Sequence, residues 1–384
     1  MQTPQRRPHN AEEGLQMKRK DDAVVGAGDN AISRTELLAV SAAAGGGILL
    51  AGAGGALASP SKAHASPAQG PKRKMIGALG YGTCPCVQII QVGFKNAAEL
   101  VGWDYQGILA PEVDQNAENL NRTYQQAIAA KPAAIGGGMW FPTAAQQAKR
   151  AIQQGIYFIA VNTPDNAFVS ANHITFVGQD LYQGGVLAGT LLAEQLVKNG
   201  KKTGLILTGN VSPGSVPIEE RYRGIKDGTA AFNKKNGTQF TNEQFPDQSA
   251  DLARSLPIYK AKLAQVGSKL VALANTSTQT SIANYKIAQE LKWKPGQIVM
   301  GGFDTDPVIN QAIRQGYHLF TLDQQFFSQG FFALMLAWQK LARSLNPPAV
   351  FDTGNAVVNK SNIKAIDARD NAIRSLAKRY GIKV

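Results

Sequence analysis

The sequence predicts an α/β protein built as two doubly wound parallel-sheet lobes. From Lys74 onward, short apolar runs alternate with helical patterns of 12–16 residues, the signature of βαβ units. After 175–178 the same pattern restarts, with the break near Gly178-Gln179-Asp180, so two sheets follow one another. No glycine- or proline-rich linker separates the halves, which calls for several short hinge crossings rather than one tether.

In the first half, strands are expected at 75–80, 103–109, 133–137 and 157–161. The helices between them are expected at 88–101, 115–130 and 144–154, the first burying Val92, Ala97 and Leu100. In the second half, strands at 203–207, 238–244, 270–274 and 298–303 alternate with helices at 183–198, 218–235, 252–265 and 278–291. A strand at 317–323 follows. Tail helices at 326–345 and 363–379 flank a short strand at 353–358. Right-handed crossovers place helices on both faces of each sheet.

The chain has 384 residues, 44% hydrophobic and 17% charged, enough for two moderate lobes. Residues 1–65 read differently. An alanine- and glycine-rich apolar run after Ser33-Arg34-Thr35 closes on Ala63-His64-Ala65, the small-x-small pattern of a signal peptidase site, with Ser66 as the first mature residue. Thr35 stands where a twin-arginine signal has its second arginine, so export is expected and its route is open. The net charge is +13. Removing the seven basic and six acidic residues of 1–65 leaves 33 against 21, so the basicity belongs to the mature chain. The basic residues are scattered among acidic ones, which reads as solvated helix faces and not as a nucleic-acid surface.

Several chemistries lack their motifs. Gly80-Tyr81-Gly82 starts a dinucleotide fingerprint, but Pro85 replaces the third glycine. No phosphate loop and no nucleophile elbow occur, and His173 and His318 have no metal-ligand spacing, so no cofactor or metal is expected. Cys84-Pro85-Cys86 holds both cysteines. A disulfide across two positions and a proline looks strained, so free thiols lining a cleft or packing as small hydrophobes are expected, with Cys84 as a nucleophile kept as an alternative.

Gln297–Pro307 holds the clearest site signal. An apolar run passes through Gly301-Gly302 to Phe303-Asp304, and Asp306-Pro307 then opens a helix. Ligands bind at the carboxyl ends of strands in open α/β sheets, which aims Asp304 into a cleft. Asn162 and Gln324 stand at comparable strand ends, and Arg221 opens a helix with a planar fork of donors. Such groups hydrogen-bond a polyhydroxylated ligand while aromatic faces cover its C–H surface.

The order of seven segments resembles the type I periplasmic sugar-binding proteins of ABC transporters, the ribose/xylose-type family that shares its fold with the lactose-repressor class. They are G-F-K-N-A-A-E-L-V-G-W (93–103), A-I-A-A-K-P-A-A-I (127–135), G-I-Y-F-I-A-V-N (155–162), F-V-G-Q-D-L-Y-Q-G-G (176–185), R-Y-R-G-I (221–225), G-G-F-D (301–304) and T-L-D-Q (321–324). The resemblance implies two lobes joined by three hinge strands, with crossings near Gln179, Gln324 and Val358. One lobe would hold 74–179 with 325–358 and the other 180–324 with 359–384. It implies ligand roles for Asn162, Arg221, Asp304 and Gln324, with Asn275 or Thr276 as a further contact. Cys84, Cys86, Trp140, Gln179 and Gln248 complete the candidate set. Cys84-Pro85-Cys86 replaces the family's Asn-Pro-Phe, and Trp140 would supply the missing stacking surface.

The implied function is a monomeric, non-enzymatic receptor exported to the periplasm. It would deliver a sugar, polyol or cyclitol to a membrane permease, without nucleic acid. A ligand sensor of the transcription-regulator type, a binder of a non-sugar molecule and an exported enzyme using Cys84 are the alternatives. A regulator would need a helix-turn-helix head within 1–65.

Overall fold

The computed structural model describes residues 73–82, 84–111, 116–245 and 251–384. The export segment expected at 1–65 and the candidate Gln248 lie outside them.

Each lobe is built on a six-stranded sheet. The first runs β11-β5-β4-β3-β1-β2, where β1 is Lys74–Tyr81, β2 Asp104–Ala110, β3 Ala134–Gly137, β4 Tyr157–Asn162, β5 Phe176–Gly178 and β11 Val350–Asp352. The second runs β12-β10-β9-β8-β6-β7, where β6 is Thr203–Gly209, β7 Gln239–Phe245, β8 Leu270–Asn275, β9 Val299–Phe303, β10 His318–Asp323 and β12 Ala356–Val358. All pairings are parallel except β12, which runs antiparallel to β10. The two orders correspond strand for strand. β3 and β9 are buried along their whole length and β4 from Phe158 onward, as their near-continuous apolar runs require of strands covered on both faces. Helix α1 (Pro85–Val101) buries Val92 and Ala97 as expected. Leu100 instead points to solvent, 66% exposed, because the helix ends one residue later at left-handed Gly102.

The expected single strand at 353–358 is two short strands, one in each sheet, separated by residues 353–355. The third crossing therefore lies at Thr353–Asn355 and not near Val358, which pairs with Thr321 in the second sheet. Gly354, at φ 78°, supplies the left-handed residue that breaks the extended run between the two strands. The three crossings are tied to one another. Thr353 N–H donates to the Gly178 carbonyl at 2.9 Å, Thr353 Oγ1 to the Gln324 carbonyl at 2.8 Å, and Gln325 Nε2 to the Thr353 carbonyl at 2.6 Å.

After the first crossing, helix α5 (Leu181–Lys198) packs on α6 (Val216–Asn236); after the second, α10 (Phe326–Arg343) packs on α1. Both pairs meet backbone to backbone. A Cβ on Gly330 would run into the Ile90 carbonyl, one on Gly93 into the Phe327 carbonyl, and one on Gly185 into the Arg221 carbonyl. The last helix, α11 (Ile363–Tyr380), touches both lobes. Arg369 ion-pairs with buried Asp323 at the end of β10, and Tyr380 OH accepts from Asn96 on α1 at 3.0 Å.

Gly330→Val should therefore push α10 off α1 and cost about 1–3 kcal/mol, the size typical of overpacking. Urea unfolding checks this; an unchanged midpoint would mean that the two helices do not meet at these glycines.

Candidate functional site

Asn162 ends β4 and Asp304 directly follows β9, the fourth strand of each sheet. Both adopt left-handed backbone, at φ 70° and 77°, which Asn and Asp tolerate better than other non-glycine residues. This turn lifts each side chain out of its sheet and into the cleft at the strand ends.

Between them sits Gln324, buried at the second crossing. Its Nε2 donates to Asp304 Oδ1, and its Oε1 accepts from Asn162 Nδ2 at 3.3 Å. The remaining Asp304 oxygen, Oδ2, accepts from Thr278 N–H at 2.9 Å and from Thr278 Oγ1 at 2.8 Å. On the other side, Trp140 Nε1 donates to Asn162 Oδ1 at 2.9 Å. A continuous hydrogen-bonded chain thus runs Thr278–Asp304–Gln324–Asn162–Trp140, from one sheet to the other. The Trp140 carbonyl also accepts from Val216 N–H at 2.8 Å, a direct bond to the start of α6.

Arg221, in the second turn of α6, is 4% exposed. Its Nη1 donates to the Thr276 carbonyl at 2.6 Å, and its guanidinium lies 4.3 Å above the Phe303 ring centroid. Burial pulls its pKa down while the charge of Asp304 opposes that shift. An arginine remains protonated under such a balance.

Trp140, Asn162, Arg221, Asp304 and Gln324 line one cavity of about 70 Å³. Cys84, Cys86, Trp140 and Phe326 form its apolar wall in the first lobe. Arg221, Asp304, Ser212, Ser215, Ser277 and Gln279 supply most of its polar surface from the second. Among the described residues, three of its buried polar atoms have no partner: Arg221 Nε, Ser212 Oγ and Ser215 Oγ. Most buried polar atoms in folded proteins are paired, so three such orphans around one cavity mark a place built to receive acceptors and donors from elsewhere.

The structure therefore brings together Cys84, Cys86, Trp140, Asn162, Arg221, Asp304 and Gln324. It does not bring Gln179, which is buried at the first crossing and donates to the Gly354 carbonyl at 3.3 Å. Nor does Asn275 line the cavity. Its side chain turns to Asn284 at the end of β8, and the neighbouring Thr276 carbonyl is what meets Arg221. Ser212, Ser215, Ser277 and Gln279 were not anticipated. The serines sit on the loops after β6 and β8, where serine and threonine are also ordinary helix-cap and turn residues, and Gln279 lies in the first turn of the helix that follows β8.

The expectation of free thiols is overturned: Cys84 and Cys86 are joined by a disulfide. Cys84 is extended at φ −81° and ψ 121°, and Pro85 opens α1. The two side chains therefore leave an extended residue and a first-turn residue and converge. Their Cα atoms are 5.2 Å apart, inside the usual disulfide span of roughly 4.4–6.8 Å. The separation in sequence suggested strain because it ignored this bend.

The family model of the periplasmic binding protein domain matches residues 85–344. The xylose/arabinose-binding protein XylF of Sulfolobus acidocaldarius is 28% identical over 197 residues, 50% of this chain and 46% of that protein. The chain thus spans about half the length of the curated relative it matches. Among solved structures, the glucose-galactose binding protein GanP from Geobacillus stearothermophilus superposes with a TM-score of 0.66 at 20% identity, covering 76% of this chain and 98% of that one. A carbohydrate transporter from Acidothermus cellulolyticus in complex with myo-inositol gives 0.66 at 19% identity, covering 79% and 99%. The family match runs from the first turn of α1 to the residue after α10 and takes in nine of the twelve strands of the described residues, all but β1, β11 and β12 at its edges. On this match the chain belongs to the periplasmic binding protein domain family.

Proposed function

We propose that this protein is an exported, non-enzymatic receptor that captures a sugar or sugar-like solute between its lobes and delivers it to the permease of an ABC transporter. The observation that carries the reading is the cavity itself. Its polar side chains come from both lobes, three of their atoms are unpartnered, and an apolar wall stands beside them. A polyhydroxylated ring has complementary parts, with hydroxyls for Arg221, Asp304 and the serines and C–H groups for Trp140 and Phe326. The sugars named for XylF and GanP and the myo-inositol of the third relative support the same ligand class.

Closure is the mechanism. A ligand that touches both lobes binds the closed form better than the open one and shifts the population by that difference. Its hydroxyls exchange with the Asp304–Gln324–Asn162 hydrogen bonds, so the hinge and the ligand draw on the same groups. The signal segment is removed after Ala65, and the mature chain acts as a monomer in the periplasm.

Thermal unfolding against pentoses, hexoses, polyols, cyclitols and amino acids tests this. A ligand at 100 times its dissociation constant adds about 2.7 kcal/mol, which raises the melting temperature by several degrees. Shifts from amino acids alone, or from nothing in the panel, would sink the sugar reading. Asp304→Ala should abolish the shift and cost about 1–3 kcal/mol of stability, since it leaves the Thr278 and Gln324 donors without their acceptor. Asp304→Asn tolerates the left-handed backbone and should fold closer to the parent while still losing affinity. Undiminished ligand binding by Asp304→Asn, read by calorimetry, would remove Asp304 from the ligand's contacts.

A further inference from the structure

We propose that the Cys84–Cys86 disulfide is the surface on which the ligand's C–H face rests, and that reducing it with a dithiol weakens capture. The inference rests on the sugar-receptor reading and adds a contact and a chemical sensitivity to it.

The ring is too small to be explained by fold stability. A disulfide restrains the unfolded chain more the longer the loop it closes, and this one closes three residues. Its place in the helix argues the same way. Cys84 is the N-cap of α1, where serine, threonine, aspartate or asparagine bonds a free backbone N–H, yet Cys84 makes no side-chain cap bond. The side chain is committed to Cys86 instead. Both sulfur-bearing residues line the ligand cavity, on the first-lobe wall beside Trp140 and Phe326. That wall carries few polar groups. The first lobe adds Asn162 and the second adds apolar Val211, Pro217 and Ile218, but Arg221, Asp304 and the unpartnered serines all stand in the second lobe, so most hydrogen-bonding groups face the disulfide from across the cavity.

Reduction alters this wall in two ways. The fused S–S surface becomes two thiols, each a weak donor with a free rotor, set against a C–H face that offers no acceptor. The residue that starts α1 also loses its covalent tie to the first helical turn. The exchange is balanced with a dithiol as reductant. One of its thiolates attacks a cysteine sulfur and forms a mixed disulfide. The second then displaces it and closes the reductant's own ring. Two electrons and two protons pass to Cys84 and Cys86, and the dithiol leaves as a disulfide. The chain contains no other cysteine, so a dithiol has one target.

The experiment measures calorimetric affinity for the sugar that gives the largest thermal shift, with and without dithiothreitol, on the parent and on Cys84→Ser/Cys86→Ser. A thiol-reactive dye in denaturant counts thiols in each sample. The expected result is no thiol before reduction, two after it, and an affinity lower by about tenfold or more, the scale of one misplaced apolar contact in a pocket. The double variant should bind like the reduced parent and ignore dithiothreitol. Cys86→Ser alone provides the same reading should the double variant fold poorly. Equal affinity before and after reduction, or free thiols in the unreduced protein, overturns the inference and leaves the sugar reading standing. Absence of sugar binding by the oxidised parent overturns both.

Discussion

Gln324 is a single carboxamide asked to serve both lobes. Its side chain donates to Asp304 and accepts from Asn162, while its backbone carbonyl accepts from Thr353 Oγ1 and Gln329 Nε2. The backbone bonds hold the second crossing against the third. The side-chain bonds hold the fourth strand of one sheet to the fourth strand of the other. All of these groups are buried, where an unpaired donor or acceptor is costly. The crossings and the cavity are therefore one hydrogen-bonded unit. A group that competes for Asp304 or Asn162 acts on the geometry of the crossing as well.

The near-repetition of the two lobes makes this arrangement possible. Equal strand orders put Asn162 and Asp304 at matching positions, and the same left-handed backbone turns both toward the cleft. The helices that enter each lobe after a crossing also pack alike, α5 on α6 and α10 on α1, through glycines that admit another backbone. Close packing fixes where α6 presents Arg221 and where α1 presents the disulfide. What differs is the chemistry at the strand ends. The first lobe follows β3 with Gly138-Met139-Trp140-Phe141, and the second follows β8 with Thr276-Ser277-Thr278. The first wall gains Trp140 and the second gains Ser277 from these segments.

The fold was legible because it rests on periodicity. Buried parallel strands need continuous apolar runs and the crossover helices need one apolar face, so both leave a pattern that survives without tertiary information. Asn162, Asp304 and Gln324 could be read because the carboxyl end of a strand is a fixed place in such a sheet. Arg221 could be read because it lies near the start of a helix at that same edge. Contacts decided by loop paths left no such trace. Gln179 sits at a strand end like the others, but its crossing carries it to Gly354 and away from the cavity. The strand expected at 353–358 is uniformly compatible with extended backbone until Gly354 turns it. Ser212, Ser215 and Ser277 have residue types found in any cap or turn. The disulfide was missed because sequence separation says nothing of the bend that Pro85 fixes.

Arg221 shows why the two walls belong to one design. A guanidinium at 4% exposure is costly to bury, and its surroundings compensate only in part. Asp304 supplies opposite charge, Phe303 a π face and Thr276 one acceptor, while Nε remains unpartnered. A second carboxylate in place of Ser212 or Ser215 would relieve the imbalance in the free protein. The serines instead leave neutral hydroxyls in the same cavity, each able to donate or accept. The apolar wall then excludes water from the other face, so the bonds made to Arg221 and Asp304 form in a medium of low dielectric, where they are stronger. The incompletely paired Arg221 and the apolar Trp140, Phe326 and disulfide thus meet in one cavity, each offering a different chemistry to it.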